Sequence, residues 1–206
     1  MSLASVHRKL DQSLWGLLRE TGFGPLCKGL HYRIVDEVAQ FVSVTIETRI
    51  RRELTVAYGA LFLGSPQQCW SLDFGGTLPG RWSDEENSFS RLAAAYTQHL
   101  AGWFEVSASK RGLLEGMGLV ASPPTGYLHL SQACLSAALG EPEPARQFVE
   151  DARRLFLAAY SQHPGRLWAQ TYANYCVDLA QAINQGESEL LLERWLVHSR
   201  ASLGLP

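Results

Sequence analysis

The sequence predicts an α+β fold, and three observations carry that prediction. An apolar stripe of helical period runs through the first twenty residues. Leu30 to Leu63 contains three runs rich in Val, Ile, Thr, Tyr and Phe, and everything beyond residue 126 has helical periodicity. With 206 residues, 46% hydrophobic and 10% aromatic, the chain has ample apolar material for one large core, so a single domain over 1–206 is expected.

Taken in order, Val6, Leu10, Leu14 and Leu17 or Leu18 fall on one face of an N-terminal helix, which Ser2 is placed to cap and Gly22 to end. Strands follow at 30–35, 39–48 and 54–63, and their short connections imply an antiparallel meander. In the middle strand Val42, Val44 and Ile46 share a face that a helical layer should cover, while Phe41, Ser43, Thr45 and Glu47 share the other. The stretch from Gly64 to Trp82 holds Pro66, Gly75, Gly76, Pro79 and Gly80. It reads as a long loop, with room for one further strand around Trp70–Phe74, so the sheet should have three to four strands.

Ser83 and Glu86 have capping-box spacing and open a long helix over about 84–106; a shorter helix runs from Lys110 to Met117. Ser122-Pro123-Pro124-Thr125-Gly126 is the candidate hinge, separating a sheet-containing part (1–121) from a helical part (127–206). The tail offers helices at about 127–139, 144–162, 166–185 and 188–202, punctuated by Gly140, Pro164-Gly165 and Gly186, which suggests two antiparallel hairpins. No register of about 34 residues repeats through it, so it is a helical layer and not a repeat array.

A formal charge of −2, from 18 basic and 20 acidic residues, argues against general nucleic-acid binding. The four cysteines, at 27, 69, 134 and 176, form no Cys-x-x-Cys pair and read as reduced, mostly buried thiols. The six histidines show no ligand spacing, so neither a metal centre nor another cofactor is expected. The first residues lack a secretory apolar region and no run of about 18 apolar residues exists, which points to a cytoplasmic protein without a membrane partner.

Several constellations invite chemical readings. Asp73-Phe74-Gly75 copies the metal-binding tripeptide of protein kinases, but no phosphate loop, strand lysine or His-Arg-Asp segment accompanies it. Asp36, Glu47 and Arg49 resemble the acidic pair and cation of metal-dependent nucleases; a hairpin turn and a solvated strand end explain the same charges more simply. Arg49, Arg51 and Arg52 form a basic turn suited to a phosphate or an acidic partner, although Glu47 and Glu53 flank it.

Trp70 and Trp82 bracket the glycine-rich loop off any helical stripe. Either they pin the loop to the core, as large rings on loops usually do, or they anchor a partner. In the second case the partner-binding patch comprises Trp70, Asp73, Phe74, Arg81 and Trp82, with Asp84, Glu85 and Glu86 as its rim.

The first third resembles a bacterial family of unknown function, the domain family numbered 4304. The resemblance covers roughly residues 10–63 and rests on Leu17-Leu18-Arg19-Glu20-Thr21-Gly22-Phe23, Lys28, Tyr32-Arg33, Gln40-Phe41-Val42 and Leu54-Thr55-Val56-Ala57-Tyr58-Gly59. It implies a small α+β module of the kind found beside bacterial toxin systems as candidate immunity proteins, and it carries over no functional residue. The expected function is therefore that of a non-catalytic immunity protein whose partner is a cognate effector toxin. A metal-dependent hydrolase using Asp36 and Glu47, and a helical peptide-binding adaptor formed by residues 127–203, are the alternatives.

Overall fold

A computed structural model describes residues 3–47, 53–80, 82–83, 86–119 and 125–206, with backbone alone for Leu3, Glu47 and Glu86. Its class is the expected one: N-terminal helices, an antiparallel sheet and a helical C-terminal half. The sheet orders β1 (Gly24–Cys27), β2 (Leu30–Val35), β3 (Val38–Glu47), β4 (Glu53–Phe62) and β5 (Gly75–Thr77) side by side, and β6 (Trp82–Ser83) pairs β4 on the edge β5 also uses. It is thus larger than the three to four strands expected. β1 holds Gly24 and Pro25, which hide a strand from propensity, and the extra strand in the long loop lies at 75–77 and not at 70–74.

The meander is set by its turns. Asp36 and Glu37 both have positive φ, 47° and 64°, the left-handed pair that a two-residue hairpin needs to match the twist of its strands. Neither is glycine, so the turn is strained. Lys110 offsets the strain from the neighbouring helix, with its Nζ 2.9 Å from Glu37 and 3.6 Å from Asp36.

Register places Val38, Gln40, Val42 and Val44 of β3 beside Phe62, Ala60, Tyr58 and Val56 of β4 on one face. At one end of it, Val42, Val44, Leu54 and Val56 share a core with α1 (Leu3–Gln12), α2 (Leu14–Glu20), α3 (Glu86–His99) and α4 (Ala101–Val106). At the other, Val38, Ala60 and Phe62 share a core with α5 (Lys110–Gly118), α6 (Gly126–Ala138), α7 (Pro142–Gln162), α8 (Leu167–Gln185) and α9 (Ser188–Leu203). The helical half is therefore built onto the sheet. The opposite face buries Ala39, Phe41 and Leu61 under Leu203, Leu205 and the half-buried Trp70. Ser122, Pro123 and Pro124 of the expected hinge lie outside the described residues.

Two long helices expected from the sequence are each divided. Ser13 separates α1 from α2, its Oγ donating to the Lys9 carbonyl at 2.8 Å, a local bond that competes with continued helix. The break lets Leu10, Leu14, Trp15 and Leu18 all reach the core. Leu100, 1% exposed, separates α3 from α4. Ser83 lies in β6, its N–H donating to Ser88 Oγ at 2.9 Å, while Asp84 and Glu85 lie outside the described residues. The four tail helices lie close to their expected bounds, and each packs on the next.

A polar knot joins the sheet to its cover. Gln40 is wholly buried, and its Nε2 donates to the Phe104 carbonyl (2.6 Å) and to Ser107 Oγ (2.8 Å). Its Oε1 accepts from Arg33 Nε at 2.7 Å, and Arg33 also donates to the Thr21 carbonyl at 2.6 Å. Replacing Gln40 with Leu should cost about 2–3 kcal/mol, because it removes the partner of the buried Ser107 hydroxyl and of Arg33 Nε and leaves the Phe104 carbonyl with the long 3.4 Å bond from Arg33 Nη2. A urea midpoint within error of wild type would show that the knot does not hold the helices.

His31 lies 7% exposed, stacked on Trp15 with ring centroids 3.9 Å apart, and its Nδ1 has no partner. Burial lowers its pKa from the ordinary 6.5; Arg19 adds to the shift and Asp11 opposes it. The unfolded chain then binds the proton more readily. This contribution to stability should be complete above about pH 6.5 and shrink as pH falls below it. Thermal melts of wild type and His31→Gln between pH 5 and 8 check this: the wild-type curve should fall more steeply on the acid side.

Candidate functional site

A cleft of about 880 Å3 lies between residues 71–75, α4, α5 and the start of α6, within the range of ligand and anchor pockets. Phe74 and Trp103 stack at its base, ring centroids 5.2 Å apart and 29° from parallel. Leu72, Val106 and Leu119 border it, and their exposures of 47%, 62% and 85% make its rim apolar.

Glycines make this arrangement possible by close approach. A Cβ on Gly75 would sit 2.1 Å from the Tyr58 carbonyl oxygen, and one on Gly116 would sit 2.7 Å from the Phe74 ring. Side chains at these positions would push the Ser71–Gly75 segment off β4 and α5. Gly102 differs: a Cβ there meets nothing within 4 Å, although the residue lines the cleft.

Asp73 is the single charged residue among the described residues of the lining. Ser71 Oγ donates to its Oδ2 at 2.7 Å, and Thr125 Oγ1 donates to its Oδ1 at 3.4 Å. Thr125 Oγ1 also accepts from the Leu128 N–H at 3.1 Å and so caps α6, which places the carboxylate by the positive end of that helix. Burial, and then the Asp73 charge, push the Tyr127 hydroxyl up to about 12, leaving it a neutral hydrogen-bonding group.

The patch expected from the sequence is not assembled. Trp82 is 5% exposed in the core under α1–α4, and Phe74 is 6% exposed under α5–α9. Trp70 packs on the opposite sheet face, 5.1 Å from Phe41 and 6.2 Å from Tyr32. Large rings on the loop bury themselves, and among the described residues of the patch only Asp73 and Phe74 line the cleft. Arg81, Asp84 and Glu85 lie outside the described residues, and Glu86 opens α3.

The acidic pair also falls apart. Asp36 precedes β3 and Glu47 ends it, so a ten-residue strand holds their backbones roughly 30 Å apart. They cannot share a metal ion, and Asp36 is taken up by Lys110. Arg49, Arg51 and Arg52 lie outside the described residues. Among the described residues, no three His, Cys, Asp or Glu side chains gather as metal ligands, and no helix is long and apolar enough to cross a membrane. Cys134 and Cys176 are buried, and burial pushes the Cys176 thiol up to about 12; Cys27 and Cys69 are exposed, against expectation.

Sequence reasoning missed Gly102, Trp103, Gly112 and Gly116. The available signal was Gly112 and Gly116, which lie four apart on one helix face beside an aromatic-glycine pair. No protein-family model, no curated protein and no solved structure matches the chain.

Trp82→Ala should lower stability by about 3–5 kcal/mol, the cost of emptying a buried aromatic site. A melting temperature within two degrees or so of wild type would contradict the burial described here.

Proposed function

We propose that the chain is a non-catalytic binding protein, and more specifically a bacterial immunity protein that receives an anchor residue of a cognate effector toxin in the cleft. The observation that carries this reading is the character of the cleft. It is apolar, floored by stacked rings and open at a hydrophobic rim, and its one carboxylate is held by two hydroxyls rather than set against a nucleophile or base. Binding needs complementarity alone, whereas catalysis needs several groups converging on a reacting atom. The resemblance of residues 10–63 to modules found beside toxin systems supports the finer part of the reading.

Gly102→Leu is the discriminating variant. Its side chain projects into open cleft and improves a helix position by about 1 kcal/mol, so the fold should persist while the cleft is filled. Tagged wild-type and variant proteins are used to capture partners from native lysate, and each captured protein is then expressed alone and with this chain. A captured protein that stops growth alone, is neutralised by wild type and escapes Gly102→Leu is the expected result. Equal neutralisation by the folded variant would remove the cleft from the mechanism. Loss of no growth in any pairing would remove the immunity role.

A further inference from the structure

We infer that the anchor received by the cleft is a basic side chain of the partner protein, arginine before lysine, next to an apolar residue. This rests on the reading of the cleft as a partner-binding site and goes further by naming the chemistry it selects. Asp73 is half-buried among apolar walls and is the single charge among the described lining residues. No basic side chain among the described residues pairs with it. Lys110, at the far end of α5 from the cleft floor, is bound to Glu37 and Asp36, and Arg111 is bound to Glu141 at 2.6 Å.

Two hydroxyls orient the carboxylate but do not neutralise it. The 3.4 Å contact from Thr125 is long, and each oxygen keeps acceptor capacity. A half-buried carboxylate that no described basic side chain pairs with is complementary to an incoming cation. The half-buried Trp103 ring lines the same cleft, and arginine suits a carboxylate beside an aromatic ring. Its guanidinium forks onto a carboxylate and stacks on an aromatic face, while its methylene stem covers apolar surface. The remaining volume and the Leu72, Val106 and Leu119 rim leave space for a neighbouring apolar residue.

The test uses the blocked tripeptides acetyl-Leu-Arg-Leu-amide, acetyl-Leu-Gln-Leu-amide and acetyl-Leu-Glu-Leu-amide, with agmatine as a free guanidinium on an apolar stem. Each is titrated into the whole chain and followed by NMR shifts. The Arg peptide should bind at least tenfold tighter than the Gln and Glu peptides, and its advantage should fall below twofold in Asp73→Asn. Gly102→Leu should bind none of them, with both variants melting near wild type. Three peptides binding equally would overturn the basic anchor while leaving an apolar binding cleft. Agmatine binding as tightly as the Arg peptide would make the occupant a free organic cation and overturn a partner side chain. No binding by any probe would overturn the inference, and the growth assay with Gly102→Leu would then decide separately whether the cleft has a partner.

Discussion

The buried amide of Gln40 is the constraint on which the sheet and its cover depend. An amide with no exposure must find partners for its donors and acceptor inside the protein, and here they come from three residues on two elements, β2 and the end of α4. Phe104 and Ser107 fix the end of α4 over the middle of β3, and Arg33 fixes β2 beside it. Arg33 reaches on to Thr21 at the end of α2, so one cation and one amide satisfy carbonyls at two helix C-termini. Burial lowers the Arg33 pKa, yet guanidinium keeps its charge throughout the range in which proteins work, so this end of the knot does not titrate. The Phe23 ring under the guanidinium, 4.9 Å away, adds an apolar floor that excludes water from these bonds.

From that fixed point the cleft follows. Ser107, which accepts from Gln40, also lines the cleft, so the wall nearest the sheet is held by the knot. Trp103 sits next to Phe104 on the same short helix and is tied by edge contact to Tyr58 of β4 at 5.0 Å. The facing wall is the Ser71–Gly75 segment, and its approach to β4 is permitted by glycine and secured by the bond from Asp73 to the residue that caps α6. The cleft is accordingly bounded by groups whose positions are set elsewhere in the fold. That is the preorganisation a binding site requires, because ordering these groups need not be repeated when a ligand arrives.

Much of the fold was legible because it depends on periodicity. β2, β3, β4 and the four tail helices each carry a full period-two or period-3.6 pattern, and their bounds match closely. The expectation that Val42 and Val44 face helices also agrees with the core they enter. What was illegible depends on single local contacts. The breaks at Ser13 and Leu100 interrupt continuous apolar stripes, and only the tertiary advantage of bending over the sheet selects them. β5 is three residues long and two are glycine, so no propensity could mark it. The candidate site was legible to the extent of Asp73 and Phe74. Trp70 and Trp82 drew attention for being large and off-stripe, and the same size drives them into separate cores on different faces of the sheet.

The distribution of charge and apolar surface is the ground on which we propose recognition, and not chemistry, for this cleft. A catalytic carboxylate has to meet a reacting group, with a second polar group placed to stabilise the charge that develops. Asp73 instead meets Ser71 and Thr125, which position it between the loop and the helix start, and the rest of the lining is glycine, aliphatic and aromatic apart from hydroxyls. Leu119 and Val106 at the rim gain nothing from water and gain burial when an apolar surface covers them. In the proposed role, the Asp73 carboxylate, held by two hydroxyls inside an apolar border, suits a partner that is cationic at one atom and apolar around it. Removing the charge would lessen selectivity more than affinity, and filling the space at Gly102 would take away both.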